Sequence, residues 1–132
     1  MTNDTTGGCL CGAVRFAITS EPRVHYCHCG MCRRATGSAF AVFAWLPRPA
    51  LHWLGAIPRT YRSSPIASRG FCGNCGAAIT LDYDGSDEIA LHVGCFDAPG
   101  RLAPAYHYGV EGRLGWVDIA RHLPASRTKQ RW

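Results

Sequence analysis

Apolar and polar residues alternate along short stretches of this chain, and few runs show helical spacing. In "AVRFAI" (13–18), Val14, Phe16 and Ile18 share one face, the period of a half-buried strand. "SAFAVFAWL" (38–46) is a longer apolar run rich in aromatics, closed by Pro47 and Pro49. "LHWL" (51–54), "RTYRS" (59–63), "AAITLDY" (77–83) and "EIALHVG" (88–94) follow at short intervals. The turn sequences "LGAIP", "SSP", "CGNCG" and "DGSD" separate them. The one helical window is "GMCRRATG" (30–37), about two turns ending at Gly37. The pattern predicts a mainly β fold, a small β-sandwich or partly open barrel with one short helix.

With 132 residues and no internal linker or repeat, the chain reads as one domain over 1–132. Its core runs from about 7 to 124, and a basic tail occupies 125–132. A β domain this small has limited core, so metal cross-links would help to hold it. No apolar run approaches the roughly 18 residues of a membrane-spanning helix, and "MTNDTTGG" has neither a basic nor an apolar leader region. The expectation is a cytoplasmic protein without a membrane partner. In that compartment clustered thiols point to metal or catalysis before disulfides.

The formal charge of +5 changes little. Three positive charges lie in the tail, and seven thiolates against two divalent ions would bring the rest close to neutral. A basic tail on a neutral body is no nucleic-acid footprint, so no nucleic-acid partner is expected.

Eight cysteines carry the chemistry: Cys9 and Cys11; Cys27, Cys29 and Cys32; Cys72 and Cys75; and Cys95 alone. "CGNCG" (72–76) is a C-x-x-C knuckle with a glycine after each cysteine, which eases the tight turn and the approach of backbone N–H groups to sulfur. "CLC" (9–11), on an extended strand, would aim both thiols at one face. The two pairs together make a closed four-thiolate site. "CHCGMC" (27–32) supplies three more thiolates at a strand-to-helix junction. Structural zinc has four protein ligands, whereas catalytic zinc keeps three and an open position. The fourth partner of this triplet is then a substrate, or one of His25, His28, His92 and His107. Cys95 reads as a buried, inert thiol.

"GGCLCGAVRF" (7–16), "CHCGMCRRATGSAFAVFA" (27–44), "TYRSSP" (60–65), "RGFCGNCG" (69–76) and "GCFDAP" (94–99) resemble the glutathione-dependent formaldehyde-activating enzyme family, which includes centromere protein V. The resemblance covers most of residues 7–124, and the seven clustered cysteines match the family's metal positions in order. It implies a structural zinc on Cys9, Cys11, Cys72 and Cys75, and a catalytic zinc on Cys27, Cys29 and Cys32. It also implies a carbon–sulfur lyase in which glutathione adds to formaldehyde to give S-(hydroxymethyl)glutathione. This chain departs from the usual family pattern at Cys95 and Phe96, where serine and leucine are common. It departs again in "HYGVEGRLGW" (107–116), where Gly115 precedes Trp116 in place of proline. Both segments are expected to shape the substrate cleft. Arg33, Arg34 and Arg69 flank the cysteine motifs and are candidates for the carboxylates of glutathione. His28, between two ligands, is expected to point away from the metal. A carrier that holds the thiol without chemistry needs the same open site, whereas a zinc-stabilised interaction module would have both sites closed.

Overall fold

The apolar run around Phe43 becomes an inner strand covered on both faces. The computed structural model of the chain describes residues 5–118 and 123–129. In chain order the elements are β1 (Thr6–Gly8), β2 (Arg15–Ile18), β3 (Arg23–Cys27), α1 (Gly30–Thr36), β4 (Ala41–Pro47), β5 (Leu51–Trp53), β6 (Arg59–Ser64), β7 (Ala67–Phe71), β8 (Ala78–Tyr83), β9 (Glu88–His92) and β10 (His107–Tyr108). They form a three-stranded sheet, β1-β2-β5, and a seven-stranded sheet, β10-β3-β4-β9-β8-β7-β6. The mainly β expectation, with one short helix, is what the chain adopts, and neither sheet closes into a barrel.

Alternation along β4 explains the unbroken apolar run. Ala44 and Leu46 join Phe16 and Ile18 of the small sheet, and Val14 just before it, in one core, which also takes in Ile79 and Leu91. Ala41, Phe43 and Trp45 point the other way, into a second cluster with Cys27, Cys32, Leu81 and Ala90. A strand buried on both faces needs apolar residues at every position. On β8 the register shifts opposite the Gly70–Phe71 step. The irregularity lets Ile79 face the first core and Leu81 the second, although they are two residues apart.

Three expectations change in detail. The strand read at 13–18 starts at Arg15. Strands β1, β3, β7 and β10 carry glycine or polar residues and did not stand out by alternation. "CLC" lies in the turn between β1 and β2, not on a strand; the Cys9 N–H donates to Val14 O at 3.0 Å and Gly12 takes a φ of 84°. Of the basic tail, residues 125–129 are exposed, and 130–132, with Trp132, lie outside the described residues. Among the described residues, no helix is long and apolar enough to cross a membrane.

Candidate functional site

One face of the seven-stranded sheet carries the site at the strand period of two. On β3, Arg23, His25 and Cys27 stand opposite Trp45, Phe43 and Ala41 of β4. Phe43 and Trp45 in turn pair with His92 and Ala90 of β9. The parallel partner β10 sets Tyr108 beside Cys27. After β3 the chain turns into α1, so Cys27 ends the strand, Cys29 caps the helix and Cys32 sits in its first turn. The Cys29 sulfur accepts the Cys32 N–H at 3.3 Å. Gly37, with a φ of 66°, closes the helix by donating its N–H to Arg33 O.

The sulfurs of Cys27, Cys29 and Cys32 lie within 4.8 Å of one another, and among the described residues no histidine or carboxylate joins the group. Cys27 Sγ is 3.3 Å from Cys32 Sγ and 3.6 Å from Cys29 Sγ. Thiolates around a tetrahedral zinc sit about 3.8 Å apart, given Zn–S bonds of roughly 2.3 Å. The hydrogen bond from Cys27, with help from Arg69, draws the Cys32 thiol down to about 5. The same contact, with burial, pushes Cys27 up. Arg69 of β7 aims Nη2 at Cys32 Sγ across 3.5 Å.

The four candidate histidines are engaged elsewhere. His25 Nε2 accepts the indole N–H of Trp45 at 2.7 Å, which leaves Nδ1 to donate to Tyr26 O at 2.9 Å. His28 lies on the opposite face of the strand end and meets His107, Nε2 to Nδ1, at 2.8 Å. Burial, then the neighbouring His107, holds the His28 imidazole below its usual range. His92 packs against Phe43 with ring centres 4.7 Å apart. Burial and the Arg69 charge push His92 down to about 4.

Cys9, Cys11, Cys72 and Cys75 form the second group, again with sulfurs within 4.8 Å. Cys11 Sγ is 3.6 Å from Cys9 Sγ and 3.8 Å from Cys72 Sγ. The backbone N–H groups that approach sulfur include those of Val14 on Cys9, of Asn74 and Cys75 on Cys72, and of Ala77 and Cys11 on Cys75. The two glycines of the knuckle act differently from each other. Gly76 takes the left-handed turn at φ 80°, while a side chain on Gly73 would strike Arg59. Burial opposes ionisation of Cys9, but the Val14 N–H and the neighbouring thiols outweigh it and hold Cys9 near about 6. Four soft sulfurs gathered in one group suit zinc. Cys95 stays outside both groups; its thiol donates to Ala78 O at 3.2 Å, and burial pushes it up to about 11.

A cleft of about 340 Å³ opens over the triplet. All three cysteines line it, with His25, Phe43, Trp45, Tyr83, Tyr106 and Tyr108. Its outer end holds Arg23, whose Nη2 pairs with Glu88 at 2.8 Å and whose Nη1 donates to Tyr106 Oη at 2.6 Å. The arginines singled out by their place in the sequence are not in this cleft. Arg33 and Arg34 line a separate groove with Leu114 and Trp116, because α1 turns them away from its capped end. Arg69 lies behind the sulfurs and lines a second cleft, which only Cys29 of the triplet reaches. Arg23 was missed, although its spacing of four from Cys27 on a strand puts both on one face.

A curated relative in Schizosaccharomyces pombe, named an uncharacterized lyase, is 37% identical over 78 residues, which cover 58% of this chain and 56% of that protein. The chain thus spans little more than half the length of that relative. A Halomonas elongata protein, provisionally named a glutathione-dependent formaldehyde-activating enzyme, is 27% identical over 124 residues, covering 86% of this chain and 79% of its own. A crystal structure of a Rhodobacter sphaeroides protein shares the fold, with a TM-score of 0.60 at 23% identity over 78% of this chain and 99% of that one. The family model for the glutathione-dependent formaldehyde-activating enzyme matches residues 4–111, and the chain belongs to that family.

Proposed function

We propose that this chain is a zinc-dependent carbon–sulfur lyase of the cytoplasm. In this reading it forms or cleaves the S-hydroxymethyl adduct of formaldehyde with a thiol such as glutathione. Two zinc ions are assigned, one to Cys9, Cys11, Cys72 and Cys75, the other to Cys27, Cys29 and Cys32. The observation that carries the reading is the triplet itself: three sulfurs gathered at the floor of a cleft, with neither histidine nor carboxylate in their group among the described residues. When bound there, zinc supplies a position at which a substrate thiol ionises near neutral pH.

The chain's own residues do the rest. Cys27, Cys29 and Cys32 fix the direction from which a sulfur enters. The rings of the cleft keep bulk water from it. Arg69 offsets negative charge behind the sulfurs. In the addition, the thiol loses its proton and a C–S bond forms to the carbonyl carbon. The carbon–oxygen π pair moves to oxygen, which takes up a proton; cleavage is the reverse. Formaldehyde needs no binding group of its own.

The test uses the protein with cobalt in place of zinc, so that sulfur ligation is visible as a charge-transfer band. Glutathione should change that band and release about one proton near pH 7, read by calorimetry in two buffers. S-methylglutathione, which has the same carboxylates but no thiol, should do neither. With zinc restored, adduct formation should accelerate, and Cys29→Ser should abolish the acceleration. Thiol binding without acceleration would leave a carrier; a cobalt spectrum indifferent to every thiol would refute the open site.

A further inference from the structure

The cleft over the triplet is unusual in what it lacks. Among the described residues its lining holds one cation and one carboxylate, Arg23 and Glu88, and these are paired with each other. Tyr106 Oη takes the other arm of Arg23, and the guanidinium lies 5.7 Å from the centre of the Trp45 ring. Among the described residues, no lining guanidinium or ammonium is left for a substrate carboxylate. Glutathione carries two carboxylates, and drawing Arg23 to either one would leave Glu88 without its partner.

What the cleft offers is aromatic surface. Tyr83, Trp45, His25 and Tyr106 form a ladder of near-parallel rings, with successive centres 5.9, 6.5 and 5.0 Å apart and planes within 14°. Tyr108 stands edge-on to His25 at 5.9 Å. Tyr108 remains 60% exposed and Tyr83 37%, so stacking surface is presented to whatever enters. The His25–Trp45 hydrogen bond locks the middle of the ladder. Direction matters as much as lining. All three cysteines face this cleft, whereas the neighbouring one is reached by Cys29 alone. A sulfur that completes the triplet therefore carries its own substituent up the aromatic cleft.

We propose that the thiol selected by this chain bears a flat, uncharged ring next to its sulfur-bearing carbon, as in an arylmethanethiol, and that a dicarboxylate peptide thiol is the poorer ligand. This rests on the open-site reading above and narrows its substrate. The addition is unchanged and balanced: the thiol proton is lost, the C–S bond forms, and the aldehyde oxygen ends as a hydroxyl. A reaction that releases an aryl-substituted thiol, or consumes its hydroxymethyl adduct, must then adjoin this one.

The experiment titrates cobalt-loaded protein with phenylmethanethiol, cyclohexylmethanethiol and glutathione, following the charge-transfer band and correcting each affinity for thiol acidity. Phenylmethanethiol should bind about tenfold tighter than its saturated counterpart, because the ring stacks and the cyclohexyl group cannot. It should also bind more tightly than glutathione. Tyr108→Leu and Tyr83→Leu, both at exposed rings, should erase the preference for the flat ring. Glu88→Gln should free Arg23 and shift the balance toward glutathione. Equal affinity for the flat and saturated rings, or tighter binding of glutathione, overturns the proposal while leaving the open site intact. If no thiol alters the band, the open site fails instead, and the cleft is probed with benzyl alcohol by the NMR signals of the tyrosine rings. Saturable shifts that vanish in Tyr108→Leu then uphold the aromatic assignment, and their absence overturns it.

Discussion

Arg69 shows how a single buried charge constrains the site. It is only 6% exposed and touches Cys32 Sγ, yet Nε and Nη1 have no hydrogen-bond partner. It forms no ion pair with Asp82, Asp84, Glu88 or Asp97, which are held by Arg48, Arg62, Arg23 and Arg15. An isolated buried guanidinium costs several kcal/mol, so its counter-charge has to be the sulfur triplet. Three thiolates around a divalent ion carry one net negative charge, which one guanidinium offsets. Arg69→Gln should therefore weaken metal binding at the triplet by about 10- to 100-fold, whereas Arg69→Lys should keep most of it. Chelator competition against the loaded protein measures this, and equal losses in the two variants would reduce Arg69 to packing. The sequence pointed to Arg69 only as one of three arginines near cysteines. Nearness along the chain misjudged Arg33 and Arg34, because a helix turns side chains that a strand would keep in line. The reverse error hid Arg23, whose strand was not recognised.

At the scale of elements, the two cysteine groups differ in what they join. Cys9 and Cys11 follow β1, and Cys72 and Cys75 follow β7, so a metal there ties the small sheet to the large one. Cys72 is also part of the main core. The triplet lies within one strand–helix unit that backbone hydrogen bonds already hold. Cys72→Ser should lower the melting midpoint by about 10 °C, on the basis of roughly 3 kcal/mol lost in a domain of this size. Cys29→Ser should lower it much less, and purified proteins compared by calorimetry would show it; equal shifts would refute the division of labour. The grouping of the cysteines was legible because motif spacing is local: C-x-x-C, C-x-C and C-x-C-x-x-C each declare their turn or junction. Strand β3 was not legible, since Arg23, His25 and Cys27 face the cleft and break the apolar alternation that marks a strand. Strand β7, "ASRGF", was hidden for a similar reason: Arg69 faces the sulfurs, and Gly70 is there because any side chain would strike Thr80.

For the molecule as a whole, mainly β character followed from short apolar stretches and frequent turns, but strand order did not, because pairing depends on which distant segments share a core. One such pairing rests on Asp97, just after the turn that follows β9. Its N–H donates to Thr6 O, Thr6 Oγ1 donates to Oδ2 at 2.6 Å, and Arg15 grips both carboxylate oxygens at 2.9 and 2.6 Å. Gly7 bridges Phe96 beside it, and the rings of Phe16 and Phe96 meet edge-on at 5.1 Å. Asp97 thus clips β1 and β2 to the large sheet, next to the four-cysteine group. The Arg15 hydrogen bonds, then that of Thr6, draw its carboxyl from 3.8 down to about 2. A carboxyl depressed in the folded state adds stability in full above its unfolded value of 3.8, and that stability fades as pH falls toward about 2. Both partners are about one-third exposed, 32% for Asp97 and 38% for Arg15, so screening keeps the effect modest. Asp97→Asn should lower the melting midpoint at pH 7 by about 3 °C. Acid strips metal from cysteines in both proteins, so the quantity to follow is the gap between variant and parent. That gap should hold from pH 7 to about 4 and close as pH falls toward 2. A gap that persists unchanged to pH 2 would mean that the carboxylate's charge contributes nothing and that the side chain of Asp97 acts through neutral hydrogen bonding and fit alone.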